Sequence, residues 1–106
     1  MTSGFALVAR FELRDEAGAD AFDALVEQML ADIKVHEPGT LAYIVHTVPD
    51  EPLTRIFYEL YEDQAAFDRH QEQPHAQYFL TESEQHTSSL HITFLRPDAG
   101  ECPMVT

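Results

Sequence analysis

The apolar residues of this chain change their period along the sequence, and the order of those changes limits the fold more than any single motif. Phe5, Leu7, Ala9, Phe11 and Leu13, with Arg10 and Glu12 between them, repeat every second residue, the period of a strand with one buried face. Phe22, Leu25, Val26, Met29, Leu30 and Ile33 then recur at the spacing of one helix face. Asp15, Glu16 and Asp20 put negative charge at the end where a helix dipole favours it. The spacing predicts an amphipathic helix of about five turns. It stops near His36, because Pro38 disfavours helical geometry in Glu37 and Gly39 tolerates the positive φ of a turn.

Leu41 to Val48 alternates as a second strand and Leu53 to Tyr61 as a third, and Pro49-Asp50-Glu51-Pro52 reads as a four-residue hairpin connection. Asp63 is a natural N-cap for a helix over Gln64 to Gln71. Pro74 interrupts it, and a second helical piece runs from about His75 to Gln85. Leu90, Ile92 and Phe94 form a last alternating strand. The order strand, helix, strand, strand, broken helix, strand is the βαββαβ arrangement of a ferredoxin-like α+β fold, one antiparallel sheet with its helices on one face. The domain spans residues 4–96, and residues 97–106 form a tail.

A sheet covered on one side needs a polar second side, and this one does not have it. Strand three alternates Ile56, Tyr58 and Leu60 with Phe57 and Tyr61, and strand two sets Ile44 and Val48 against Leu41, Tyr43 and Val45. A homodimer packed sheet to sheet would cover the second face.

Charge narrows the function classes. The chain has 106 residues, one domain's worth, and a net charge of -13 with only six basic residues. Nucleic acid and anionic membrane surfaces would be repelled, and the acidic surface aids solubility. No stretch is apolar enough for a membrane span, and the start of the sequence lacks the basic and apolar blocks of a signal peptide, so a cytoplasmic address is expected. The one cysteine, Cys102, has no partner for a disulfide and no basic neighbour to activate it.

Chemistry must come from polar groups set among the apolar ones. Glu59, between Tyr58 and Leu60 in mid-strand, is a carboxylate whose pKa burial would raise, unless Arg10 or Arg55 holds it ionised. His70 and His75 offer imidazoles able to accept a proton from a phenol near neutral pH. Their spacing, with Pro74 between, does not put both rings on one face of a regular helix, which argues against zinc on this pair alone. His46 and His91 lie in strands, at the pocket or at the dimer interface; His36 and His86 lie near helix C-termini and read as structural. Tyr43, Tyr58, Tyr61, Tyr78, Phe67 and Phe79 are the expected aromatic wall.

Four segments carry a resemblance: Glu37-Pro38-Gly39-Thr40-Leu41-Ala42-Tyr43, Phe57-Tyr58-Glu59-Leu60-Tyr61-Glu62-Asp63, Ala66-Phe67-Asp68-Arg69-His70 and Pro74-His75. In this order they resemble the antibiotic biosynthesis monooxygenase family, whose best-known members oxidise phenols and quinols without a metal or a flavin. The resemblance implies a dimeric α+β barrel and a cofactor-free monooxygenase using O2 on a quinol or related small phenol. It assigns His70 as the base, Glu59 as its orienter or an alternative base, and Tyr43, Tyr61, His75, Phe67 and Phe79 as substrate-binding groups, with no metal. The chain departs from haem-degrading and aromatic-polyketide relatives in having no tryptophan. The same aromatics and histidines would equally serve a non-catalytic dimer that holds a small ligand.

Overall fold

The computed structural model describes residues 4–100, so Cys102 lies outside the described residues. The elements are β1 (Phe5–Leu13), α1 (Glu16–His36), β2 (Thr40–Val48), β3 (Glu51–Tyr61), α2 (Gln64–Glu72), α3 (Pro74–Ser83), a 3-10 turn at Glu84–His86, and β4 (Thr87–Leu95). The sheet order is β2-β3-β1-β4, antiparallel throughout. This is the ferredoxin-like α+β fold.

Local chemistry sets the ends of the helices. The Asp15 side chain accepts from the Gly18 N–H at 2.7 Å to cap α1, and Asp63 accepts from the Ala66 N–H at 2.8 Å to cap α2. Gln73 closes α2 and opens α3, with Pro74 in the first turn of α3, where its missing N–H costs nothing.

Register decides which residues face the helices. Leu7 opposes Glu59, Ala9 opposes Phe57 and Phe11 opposes Arg55, while on β2 Tyr43 and Val45 oppose Glu59 and Phe57. This face meets Ala19, Phe22, Val26, Met29 and Ile33 of α1. Phe11, Phe22, Phe57 and Phe79 stack edge-on and tilted at centroid distances of 4.8 to 6.1 Å. Each such ring contributes about 1.5–3 kcal/mol by leaving water.

Four expectations are corrected. The hairpin connection is two residues, Pro49 and Asp50, because β3 begins at Glu51; Asp50 takes the left-handed φ of 67° that an Asp tolerates. Gly39 does not need a positive φ; it is needed because a Cβ there would sit 2.8 Å from the Ala66 Cβ, where α2 crosses the turn. Leu41 turns to the outer face at a register shift between Thr40 and Ala42, joining Ala6, Ala42 and Leu60. β4 begins at Thr87, three residues before the alternation becomes visible.

The outer face is divided. One end is apolar, with Ala6, Leu41, Ala42, Tyr58 and Leu60 and the 41% exposed Ile44. The other end is polar: Arg10 bonds Glu12 at 2.6 Å and Glu51 at 2.8 Å, and Thr54 donates to Glu12 at 2.7 Å. No helix among the described residues is long and apolar enough to cross a membrane.

Candidate active site

Between the helices and the sheet lies a cavity of about 100 Å³, walled by Tyr43, Phe57, Glu59, Phe67, His70 and Phe79 among others. Its open flank is β4, whose Leu90, Ile92 and Phe94 line it while 42%, 44% and 59% exposed. These three lie beside Phe11, Ala9 and Leu7 on the helix-facing side of the sheet, where Phe94 meets Phe67 of α2 edge-on at a centroid distance of 6.0 Å. A larger groove of about 590 Å³ opens on the other side of the helices, where Asp32 and His36 of α1 meet Gln73, His75 and Tyr78. The smaller cavity is the more enclosed of the two, and it sets Glu59 and His70 against Tyr43, Phe57, Phe67 and Phe79.

His70 is buried, with its ring 5.5 Å from the rings of both Tyr43 and Tyr61. Its Nδ1 lies 2.8 Å from Oε1 of Glu37, the C-cap residue just past the end of α1. Oε1 also accepts from the Thr40 hydroxyl at 2.7 Å, and Oε2 bonds Nε2 of His75. Burial raises the Glu37 pKa, but hydrogen bonds from His75 and Thr40, with the charge and hydrogen bond of His70, outweigh it and hold the carboxyl below its ordinary value. An ionised carboxylate only accepts, so Nδ1 of His70 and Nε2 of His75 both carry protons. His70 is thereby left with its lone pair on Nε2. Burial lowers the pKa of His70 despite Glu37, which keeps the ring neutral and able to act as a base near pH 7.

The break at Gln73-Pro74 is what lets His70 and His75 converge. On one continuous helix the five-residue spacing would point the rings apart; here each sits on its own helix and both turn to Glu37. Glu37, His70 and His75 have ligand atoms within 4.8 Å of one another and are of the types that bind divalent cations. Both facing nitrogens are protonated and bound to the carboxylate, so the three form a closed hydrogen-bonded set.

Glu59 behaves differently. It is 6% exposed and accepts from the Tyr61 hydroxyl at 2.5 Å. Burial dominates over the Tyr61 and Tyr43 hydrogen bonds and raises its pKa to about 7. Neither expected arginine reaches it. Arg10 pairs with Glu12 and Glu51, and Arg55 pairs with Asp23 at 2.9 and 3.0 Å. Burial, together with the neighbouring charge of Glu59, holds Tyr43 and Tyr61 well above the ordinary tyrosine range.

The structure brings together His70, Glu59, Tyr43, Phe67 and Phe79 on the cavity wall, as the sequence suggested. It does not bring Tyr58, Tyr61, Tyr78 or His75 there; Tyr58 packs on the outer face of the sheet and Tyr78 lines the outer groove. Tyr61 is wholly buried behind Glu59, and His75 lines the outer groove, its ring 6.3 Å from that of His36. His46 and His91 lie on the outer face of the sheet. Glu37, not Glu59, is the carboxylate that orients His70. Sequence reasoning took Glu37 as part of a turn, although an anionic residue at a helix C-terminus, the end the dipole disfavours, was a signal.

Comparison with known proteins shows the family and the fold. The family model described as antibiotic biosynthesis monooxygenase matches residues 4–82. No curated protein matches the chain. Among solved structures, Rv0793 from Mycobacterium tuberculosis superposes with a TM-score of 0.85 at 24% identity, covering 94% of this chain and 100% of that one. A candidate antibiotic biosynthesis monooxygenase from Caulobacter crescentus gives 0.86 at 20% identity, covering 92% of each chain. Protein SO0527 from Shewanella oneidensis gives 0.81 at 26% identity, covering 92% and 93%. The matched segment contains Glu37, Glu59, His70 and His75, and the chain belongs to the antibiotic biosynthesis monooxygenase family.

Proposed function

We propose that this protein is a cofactor-independent monooxygenase that uses O2 on a quinol or related single-ring phenol. It works in the cytoplasm as a homodimer whose protomers meet through the apolar end of the outer sheet face. The observation that carries the reading is the neutral His70 at the wall of an aromatic cavity, its Nδ1–H held by Glu37 and its Nε2 free to accept a proton. A cavity of about 100 Å³ suits one aromatic ring. Phe67 and Phe79 pack the ring faces, and Tyr43 and Glu59 supply polar contacts.

The phenolic O–H bond breaks as Nε2 takes the proton. The anion passes one electron to O2, and the resulting ring radical and superoxide combine as a peroxide. Loss of water leaves a quinone. One oxygen of O2 stays on the ring, the other departs as water with the phenolic and ring hydrogens, and the ring is oxidised by the four electrons that O2 accepts. A proton on Nε2 is in place to return to the departing oxygen.

Oxygen uptake by purified protein with a panel of single-ring hydroquinones, in chelator-treated buffer, tests the reaction. Enzyme-dependent uptake with equimolar quinone is the expected result. Quinol binding without uptake would make the protein a ligand-binding module, and sedimentation at the mass of a single chain would remove the dimer.

A further inference from the structure

The wall between the inner cavity and the outer groove is a chain of three side chains. His70 faces the cavity, His75 faces the groove, and Glu37 faces neither. One carboxylate oxygen serves each ring, so a single negative charge is shared by two imidazoles. That charge can neutralise one imidazolium. A proton on His75 therefore opposes a proton on His70, and loss of the His75 contact leaves the full charge of Glu37 to His70.

We propose that His75, from outside the cavity, sets the proton affinity of His70 through Glu37. This rests on the reading of His70 as the base. His75 is then a positioning residue and touches no substrate. Its place in the groove also gives the buried base a link to an open surface, next to His36 and Asp32.

The groups that bear on the two rings can be named on every side. Glu37 caps α1 and lies against both. Tyr43 on β2 and Tyr61 on β3 contact the His70 ring and stay neutral. Glu59 on β3 shares the cavity, and its negative charge above neutral pH adds to that of Glu37. His36 and Asp32 on α1 face His75 from the groove. Of these, only Glu37 hydrogen-bonds both imidazoles, so the effect of His75 on His70 is routed through it.

The test is a ¹⁵N NMR titration of the His70 ring in the free protein, which needs no substrate. His75→Gln keeps a donor for Glu37 but carries no charge, and should raise the His70 midpoint by roughly half a unit to one unit. Glu37→Gln should lower that midpoint and release the Nδ1–H tautomer into a mixture with Nε2–H, visible in the ring nitrogen shifts. In the double variant His75→Gln/Glu37→Gln, the effect of His75 should vanish. A His70 midpoint that ignores His75→Gln, or responds equally with Glu37 absent, overturns the proposal. If the coupling appears while oxygen uptake is absent with every quinol, the proposed reaction fails and the coupling stands. If uptake occurs, His75→Gln should move the acid limb of kcat/KM upward with the NMR midpoint, which a merely structural residue would not do.

Discussion

Glu37 and Glu59 are buried on the same side of one sheet, 8% and 6% exposed, and they ionise in opposite directions. Both lose the water that would solvate a charge. Glu37 recovers it from three donors, His70, His75 and Thr40, and its pKa falls below the ordinary carboxylate value. Glu59 has the Tyr61 hydroxyl and the nearby Tyr43, and its pKa rises to about 7. Glu59 also lies under more protein than Glu37, so heavier desolvation at Glu59 and more donors at Glu37 together decide the state of each carboxylate. The protein thus holds one fixed anion, which orients His70, and one carboxylate that titrates near neutrality at the cavity wall.

The signs of the pH dependence follow. The stability that Glu37 contributes is present above the ordinary carboxylate pKa and is lost as pH falls through its depressed value. Glu59 does the reverse: its neutral form is accommodated below 4.5, and stability is lost as pH rises from there through about 7. His70 also has a depressed pKa. It favours the fold above 6.5, and that contribution is lost as pH falls toward its lowered value.

The largest disturbance of the contrast is Glu37→Ala, which leaves two buried imidazoles and a hydroxyl without an acceptor. A loss of roughly 3–5 kcal/mol in urea unfolding at pH 7 is expected, and a loss below about 1 kcal/mol would mean that the cluster is incidental. Next comes His70→Ala, which should lower quinol turnover about 10²-fold with the fold intact by circular dichroism. The acid limb of the wild-type rate sharpens the assignment, because a midpoint below 6.5 identifies His70, whereas one at about 7 identifies Glu59. Full activity in folded His70→Ala would pass the role to Glu59.

Glu59→Gln removes the group whose ionisation opposes the fold. It should stabilise the protein by about 2 kcal/mol at pH 8 and by nearly nothing at pH 4, in thermal melts at the two pH values. A pH-independent effect would show that Glu59 ionises normally. The smallest effect expected is that of Gly39→Ala. The added methyl meets Ala66 at 2.8 Å and pushes α2 from the turn that carries Glu37. A cost of about 1 kcal/mol, with a weakened His70 to Glu37 hydrogen bond seen as an upfield Nδ1–H proton, would tie the Glu-Pro-Gly turn to the base.

How far the sequence could be read follows the same division. Strand and helix periods located β1, α1, β2, β3 and the broken helix, because each buries one regular face against a single core. His70, Glu59, Tyr43, Phe67 and Phe79 were visible as polar or aromatic residues inside those patterns, and the structure places them on one cavity. The role of Glu37 was not visible. Its partners lie 33 and 38 residues away on two different helices, and no local period encodes that meeting. Tyr61 and His75 do not line the cavity, since spacing tells which face a residue takes and not what stands in front of it.

The placement of β4 has a consequence for the birth of the molecule. Ala6 pairs with Leu95 across nearly the whole chain, whereas β2 and β3 are joined by two residues. Closing so long a loop is the costly step in assembling this topology. On the ribosome, β1, α1 and the β2–β3 hairpin are complete before Leu90, Ile92 and Phe94 emerge. The cavity therefore has no outer wall until β4 emerges. A nascent chain truncated before Thr87 carries His70 and Glu37 but no enclosure, and the strand that closes the cavity is the last of the described strands to be made.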